Sequence, residues 1–319
     1  MVEISEVREM FERIKGELSK VIIGHEDVVD MIMNAILIRG HVLLEGVPGT
    51  AKTLLVKTLA HILGAGFKRL QMTPDLMPSD ILGINIYDAS TSTFRVQKGP
   101  IFADFVLADE INRAPAKTQS AMLECMEERQ VTIEGTRFQL SEIFTILATQ
   151  NPLEYEGTYP LPEAQLDRFI FKILIPYPEN NEESELLGRV ENGFRAEKFE
   201  KVGLNKVTDL AQIAACQEAI GRITTKKAII DYIVSIVRLT RTWGGLLVGG
   251  GPRASIGIHL ASKGVALLDG RDFVTPDDVK KVICPVLRHR IILKPEAEIE
   301  GLTPDACLKS IMAQIKVPR

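Results

Sequence analysis

The stretch EGVPGTAKT, residues 45–53, lies between the apolar run HVLL (41–44) and the run LLVKTLAHILG (54–64). HVLLE has the apolar character of a buried strand, and residues 52–63 carry the spacing of an amphipathic helix. The stretch is therefore a strand-to-helix turn holding two glycines, a proline and a lysine. A turn of that composition lets successive backbone N–H groups face one space without side chains in the way. The helix that begins near Lys52 adds the positive end of its dipole.

The spacing Gly46-x-x-x-x-Ala51-Lys52-Thr53 is that of a phosphate-binding loop, except that alanine stands where the last glycine usually does. The residue before the lysine is entering the helix, where alanine is the better helix former, so Ala51 is expected at negative φ. The binding set is Gly46, Val47, Pro48, Gly49, Thr50, Ala51, Lys52, Thr53 and Leu54. In it Lys52 reaches the β- and γ-phosphates and the Thr53 hydroxyl ligates Mg²⁺. The ligand is then ATP, or a close relative, with its cation.

Strands and helices alternate on either side of the loop. FKRLQM (67–72), FVLAD (105–109), FTILATQ (144–150) and FIFKILI (169–175) read as further strands, with a helix over 116–128. Several of these strands are nearly unbroken apolar runs, as in a parallel sheet covered on both faces. Two helices precede the first strand, at 3–19 and about 27–39. Residues 84–99 and 129–140 read as β-hairpins, each centred on a polar turn. From about residue 205 the pattern becomes helical, at 208–219, 226–242, 254–269 and 276–290. The expected architecture is an α/β nucleotide-binding core over 1–193 followed by an all-α region over 194–319.

A phosphate loop needs a carboxylate for the metal and a group that acts on water. FVLADE supplies both at the end of a buried strand: Asp109 for the Mg²⁺ shell and Glu110 to polarise the attacking water. Asn151 follows a third strand; its spacing fits a water-orienting residue or simply an Asn-Pro turn. Arg168 and Arg253 could stabilise charge on a transferring phosphoryl group, but spacing alone does not separate them from surface ion-pair residues.

Charge and composition narrow the classes. Lys and Arg total 38 against 42 acids, and aromatic residues make up 6%, a poor footprint for a constitutive nucleic-acid binder. The four cysteines and five histidines show no metal-ligand spacing. The charged N-terminus lacks a signal-peptide core and no apolar run is long enough to span a bilayer, so the chain reads as cytoplasmic.

Taken together, EGVPGTAKT, QKGPIFADFVLADEINRAPAKTQSAMLECMEERQVTIEG, ILATQNPLEYEGTYPLPEAQLDRF and GPRAS resemble the MoxR family of AAA+ ATPases over nearly the whole chain. The resemblance implies a P-loop core with a C-terminal helical lid. It implies that Asn151 is the sensor-1 residue and that Arg168 is an arginine finger given to a neighbouring subunit. Arg253 becomes sensor 2, on the lid, and Arg113 a second candidate interface arginine. The segment VIIGHED (21–27), with Ile23 and Gly24, takes the place that packs on adenine. The two hairpins match inserts that carry motion to a client. The implied assembly is a homo-oligomer, most simply a hexamer. Nucleotide would pull lid and core together at its interfaces. Its work would be remodelling or activating a protein client, with a von Willebrand factor A domain partner on a separate polypeptide. The alternative is a DNA-stimulated motor of a related AAA+ branch.

Overall fold

The structure, a computed structural model, describes residues 2–152 and 158–318. Residues 153–157 of the stretch ILATQNPLEYEGTYPLPEAQLDRF lie outside it. The chain opens with α1 (Ile4–Leu18), which buries Val7, Phe11, Ile14 and Leu18, one stripe at helical spacing. The backbone N–H of Glu3 donates to Glu6 at 2.9 Å and closes its first turn. Next comes α2 (Glu26–Leu37). The alternating region then runs β1 (Val42–Glu45), α3 (Lys52–Ile62), β2 (Phe67–Gln71) and α4 (Pro78–Leu82). A hairpin of β3 (Gly83–Asp88) and β4 (Thr93–Lys98) leads to β5 (Phe105–Asp109) and α5 (Ala116–Glu128). A second hairpin, β6 (Gln130–Ile133) with β7 (Thr136–Gln139), precedes β8 (Thr145–Gln150), α6 (Glu163–Leu166), β9 (Phe171–Leu174) and α7 (Asn180–Glu191).

Five strands form one parallel sheet in the order β2-β5-β8-β1-β9. All five residues of β5 and five of the six in β8 are buried, as the apolar runs require. β1 lies between β8 and β9, so every crossover delivers its loop to the same, C-terminal edge of the sheet. Both expected hairpins are present as separate two-stranded antiparallel sheets.

The rest of the chain is mainly helical: α8 (Leu210–Ala219), α9 (Lys227–Thr240), β10 (Leu246–Val248), α10 (Pro252–Leu268) and α11 (Pro276–Leu287). It ends with β11 (Ile292–Leu293), α12 (Pro295–Ile299) and α13 (Pro304–Gln314). Helix α10 starts at Pro252, whose missing N–H costs nothing in a first turn, and so Arg253 lies in that turn. Helix α11 stops at Leu287, short of the expected 290. The short antiparallel pair β10–β11, α12 and α13 were not anticipated.

One face of the sheet shares its apolar core with α1, α2 and the C-terminal helices; Val42, Leu44, Phe171 and Ile173 belong to the same buried cluster as Ile258 and Val286. The other face packs under α4, α5 and β6. Among the described residues no helix is long and apolar enough to cross a membrane.

Candidate active site

The phosphate loop leaves the C-terminal end of β1, where the Gly46 N–H donates to the Gln150 carbonyl at 3.3 Å. A Cβ at Gly46 would sit 2.9 Å from the carbonyl oxygen of Ile175, so the close pass of the chain after β9 requires glycine there. Gly49 takes φ 87°. Ala51 does not have the negative φ expected of it: at φ 56°, ψ 17° it is the left-handed N-cap of α3, and the helix proper begins at Lys52. The backbone must reverse hand there to aim the loop amides inward, and alanine bears the strain that glycine would avoid. The amides of Val47, Gly49, Thr50 and Ala51 donate to no other described residue. Unmatched amides at a helix N-terminus, beside a lysine, fit a polyphosphate.

The Lys52 ammonium donates to the carbonyls of Gly46 and Val47, both at 2.7 Å. Burial pushes its pKa down, while the carboxylates of Asp109 and Glu110 pull it back up. Those two acids lie across the same cleft of about 370 Å³, along with Thr53, Thr149 and Asn151. Asp109 is the buried last residue of β5. The Thr149 hydroxyl donates to its Oδ1 at 2.6 Å, and Arg69 donates to its Oδ2 from Nε at 3.0 Å and Nη2 at 2.6 Å. Glu110 turns out of the strand at φ 59°. Its backbone N–H donates to the Thr149 hydroxyl at 2.8 Å, and its Oε2 meets Arg113 Nε at 2.9 Å and Gln71 Nε2 at 3.2 Å. Arg113 is thus engaged with the catalytic-candidate acid of its own chain. Asn151 is buried directly after β8, between the ends of β5 and β1.

Among the described residues no three His, Cys, Asp or Glu side chains converge as a metal cage. Thr53 and Asp109 instead offer a few hard oxygens beside the phosphate loop, which fits Mg²⁺, an ion that keeps its waters and phosphate ligands.

A second cavity, of about 440 Å³, adjoins the loop at Gly49, Thr50, Ala51 and Leu54. Ile22 and Ile23 line it from one side, and Leu186, Val190 and Phe194 from the other. Gly24 has φ 68°, and a Cβ there would run into the Glu182 carboxylate of α7. The cavity is apolar-walled and contiguous with the phosphate loop, the shape a purine needs. Of the expected pair Ile23 and Gly24, Ile23 lines this cavity; the α7 side was not anticipated.

Arg168 and Arg253 are elsewhere. The Ile170 N–H bonds to the His41 carbonyl, so Arg168 belongs to the N-terminal edge of the sheet. From His41 to Gly46 the chain runs the length of β1, five extended steps or about 17 Å, further than an arginine side chain extends. The two arginines line a third pocket together. Glu127, on the last turn of α5, joins them: Oε2 is 2.7 Å from Arg168 Nη1 and Oε1 is 3.0 Å from Arg253 Nη2. Arg168 Nη1 also donates to the Leu123 carbonyl at 2.7 Å.

Because α11 ends early, Arg288, His289 and Arg290 turn back onto the start of β9. Arg288 donates to the Lys172 carbonyl at 3.0 Å, and His289 Nε2 lies 2.9 Å from the Phe169 carbonyl. Arg290 donates to the carbonyls of Asp167, Phe169 and Ile170 and pairs with the Asp167 carboxylate at 2.6 Å. The lid is therefore fastened to the strand that follows Arg168. Arg253 on the lid stands beside Arg168, away from its own chain's phosphate loop.

Sequence reasoning missed Arg69, Gln71, Thr149, Glu127 and Arg290. Arg69 and Gln71 had one available signal: polar residues at alternate positions of a strand that ends beside the acid pair, since Gln71 is in register with Asp109. Glu127 and Arg290 had none, because their partners are 41 and 123 residues away in sequence, or further.

Comparison with known proteins agrees with this fold. A model of the ATPase family associated with various cellular activities matches residues 41–171, and a model of the AAA lid domain matches 240–311. Chaperone MoxR1 of Mycobacterium tuberculosis is 42% identical over 97% of this chain and 82% of its own. The uncharacterised protein YeaC of Bacillus subtilis is 46% identical over 94% of this chain and 92% of its own. A crystal structure of a candidate ATPase from Cytophaga hutchinsonii superposes with a TM-score of 0.90 at 40% identity, over 99% of this chain and 97% of that one. With its parallel sheet, phosphate loop and helical lid, the chain belongs to the MoxR family of AAA+ ATPases.

Proposed function

We propose that this chain hydrolyses ATP at a pocket that two copies build together, and that the released energy remodels a protein client. The observation that carries the reading is the distance between the two halves of the machinery. Lys52, Thr53, Asp109, Glu110 and Asn151 share one cleft, whereas Arg168 and Arg253 share a pocket on the other edge of the sheet. No rotamer brings these arginines to their own chain's phosphate loop; a neighbour's loop is the target that the layout permits.

On this reading the loop amides and Lys52 hold the triphosphate, and the cavity by Ile23 and Gly24 takes the base. Thr53 and Asp109 would hold a Mg²⁺ ion, which when bound would supply charge neutralisation for the phosphate. Glu110 accepts the proton of the attacking water and Asn151 helps to aim that water. Arg168 and Arg253 of the adjacent copy meet the charge that grows on the γ-oxygens. The simplest assembly that completes every pocket is a closed ring, six-membered by analogy with the family. Because lid and β9 are fastened together, hydrolysis shifts one subunit against the next rather than a lid against its own core. Tyr87 and Phe94 pair edge to face at 5.3 Å on the first hairpin, are 55% and 70% exposed, and suit contact with a client. The name of the chaperone relative supports a protein client as well.

The test is complementation between damaged copies. Arg168→Ala is expected to bind nucleotide normally and lose about 10³-fold in turnover. Lys52→Ala loses nucleotide binding. An equal mixture restores hydrolysis at about one interface in four, where an intact loop meets an intact arginine. Co-assembled mixtures that stay inactive would remove the shared pocket.

A further inference from the structure

We infer that Glu127 is a positioning residue for the reaction: its carboxylate sets the spacing of Arg168 and Arg253, so that they enter a neighbour's pocket as one unit. The inference rests on the composite pocket proposed above. The two arginines come from different parts of the chain, one from the turn before β9 and one from the first turn of α10. Two guanidinium groups brought this close repel each other, and with side chains 31% and 59% exposed neither is held by packing alone. Glu127 gives one oxygen to each, at 2.7 and 3.0 Å, which ties the distance between the two cations to the width of a single carboxylate.

The carboxylate is itself well anchored. Leu123 and Glu127 are four residues apart on one face of α5, and Arg168 Nη1 bonds to both the Leu123 carbonyl and Glu127. Between them lie the buried Cys125 and Met126, and the Met126 carbonyl is 3.1 Å from Nε2 of His41, just before β1. On the far side Arg253 approaches Asp167 at 3.7 Å, and Asp167 holds the buried Arg290. Cations and carboxylates thus alternate as Arg168, Glu127, Arg253, Asp167, Arg290. Three positive charges against two negative leave the chain of contacts attractive to a phosphate. The Arg168 contacts to Leu123 and Glu127 both run through Nη1, and its side chain keeps 31% of its surface exposed.

The experiment uses the full chain with Glu127→Ala and Glu127→Gln, the latter close to isosteric. Turnover, KM and binding of a fluorescent ATP analogue are measured alone and in mixtures. Both variants are expected to bind the analogue as the wild type does. Turnover should fall at least ~10-fold in Glu127→Ala, and less in Glu127→Gln, with KM moving under about twofold. Glu127→Ala mixed with Lys52→Ala recovers activity, because Lys52→Ala supplies an intact arginine pair to an intact loop. Glu127→Ala mixed with Arg168→Ala does not, because both damage the same face. A purely structural role would not give that pattern. If Arg168→Ala with Lys52→Ala recovers but Glu127→Ala with Lys52→Ala does not, the positioning role is overturned and the shared pocket stands. Wild-type or faster turnover in both Glu127 variants also overturns it. Failure of the Arg168→Ala control mixture strikes the shared pocket itself.

Discussion

His41 shows how much a single buried side chain decides. The Ile146 N–H donates to its Nδ1 at 2.9 Å, and its Nε2 faces the Met126 carbonyl at 3.1 Å. One partner is a fixed donor and the other a fixed acceptor, so only the neutral Nε2–H tautomer satisfies both. Burial, the strongest cause, together with the nearby Arg129 charge, lowers its pKa from 6.5 to about 3. Between those values the unfolded chain binds a proton that the folded chain refuses, so stability falls as the pH drops below about 6.5. The loss from this residue is about 1.4 kcal/mol per pH unit, or about 2 kcal/mol from pH 7 to 5. Urea midpoints of the wild type and of His41→Gln check this: the variant's midpoint should depend less steeply on pH in that window, and equal slopes would refute it. His289, also buried and shifted down, adds to the wild-type slope in both proteins. Legibility at this scale followed covalent neighbourhood. Lys52, Thr53, Asp109 and Glu110 stood out because a loop or a strand end declares them within nine residues of sequence. The hand of Ala51 did not, since a propensity scale carries no information about the sign of φ at a cap.

Elements were legible where one face repeats. The five sheet strands, both hairpins and α5 follow from apolar runs, polar turns and helical spacing, and α5 was bounded to the residue. The end of α11 was not, because periodicity continues through Arg288-His289-Arg290 while the Lys172 carbonyl of β9 and the Phe169 carbonyl just before it compete for those side chains. α13 was missed although Thr303-Pro304-Asp305 repeats the Thr275-Pro276-Asp277 start of α11; in both, the threonine accepts from the backbone at N3. The α11–β9 junction makes its own prediction. Arg290 is 6% exposed, and its removal takes a donor from the Asp167 carboxylate and from four backbone carbonyls. Arg290→Ala should cost about 3 kcal/mol by urea unfolding, with Arg290→Lys a poor substitute for the planar fork. A change under ~1 kcal/mol would mean that the lid is held by its apolar contacts alone.

At the scale of the molecule, the sequence carried the α/β core and the helical lid but not their relation. Which edge of the sheet the lid stands on depends on contacts between residues more than a hundred positions apart, such as Asp167 with Arg290. That relation has a measurable consequence. If pockets are shared, ATP hydrolysis per subunit rises with protein concentration while binding of a nucleotide analogue to the loop does not. Dilute monomers splitting ATP at the full rate would contradict it; size-exclusion chromatography with light scattering identifies the species. One helix bears on both pockets at once. α5 begins just after the turn that holds Glu110 and ends on the turn that holds Glu127, 13 residues or about 20 Å later. If the pocket is shared as proposed, it is a lever between two acids, Glu110 for the chain's own nucleotide and Glu127 for its neighbour's. A pitch of about 5° over that length displaces the far tip by nearly ~2 Å, enough to make or break a contact of hydrogen-bond length. News of a spent nucleotide could therefore travel to the next pocket by the tilt of one rigid rod, with no segment unfolding on the way.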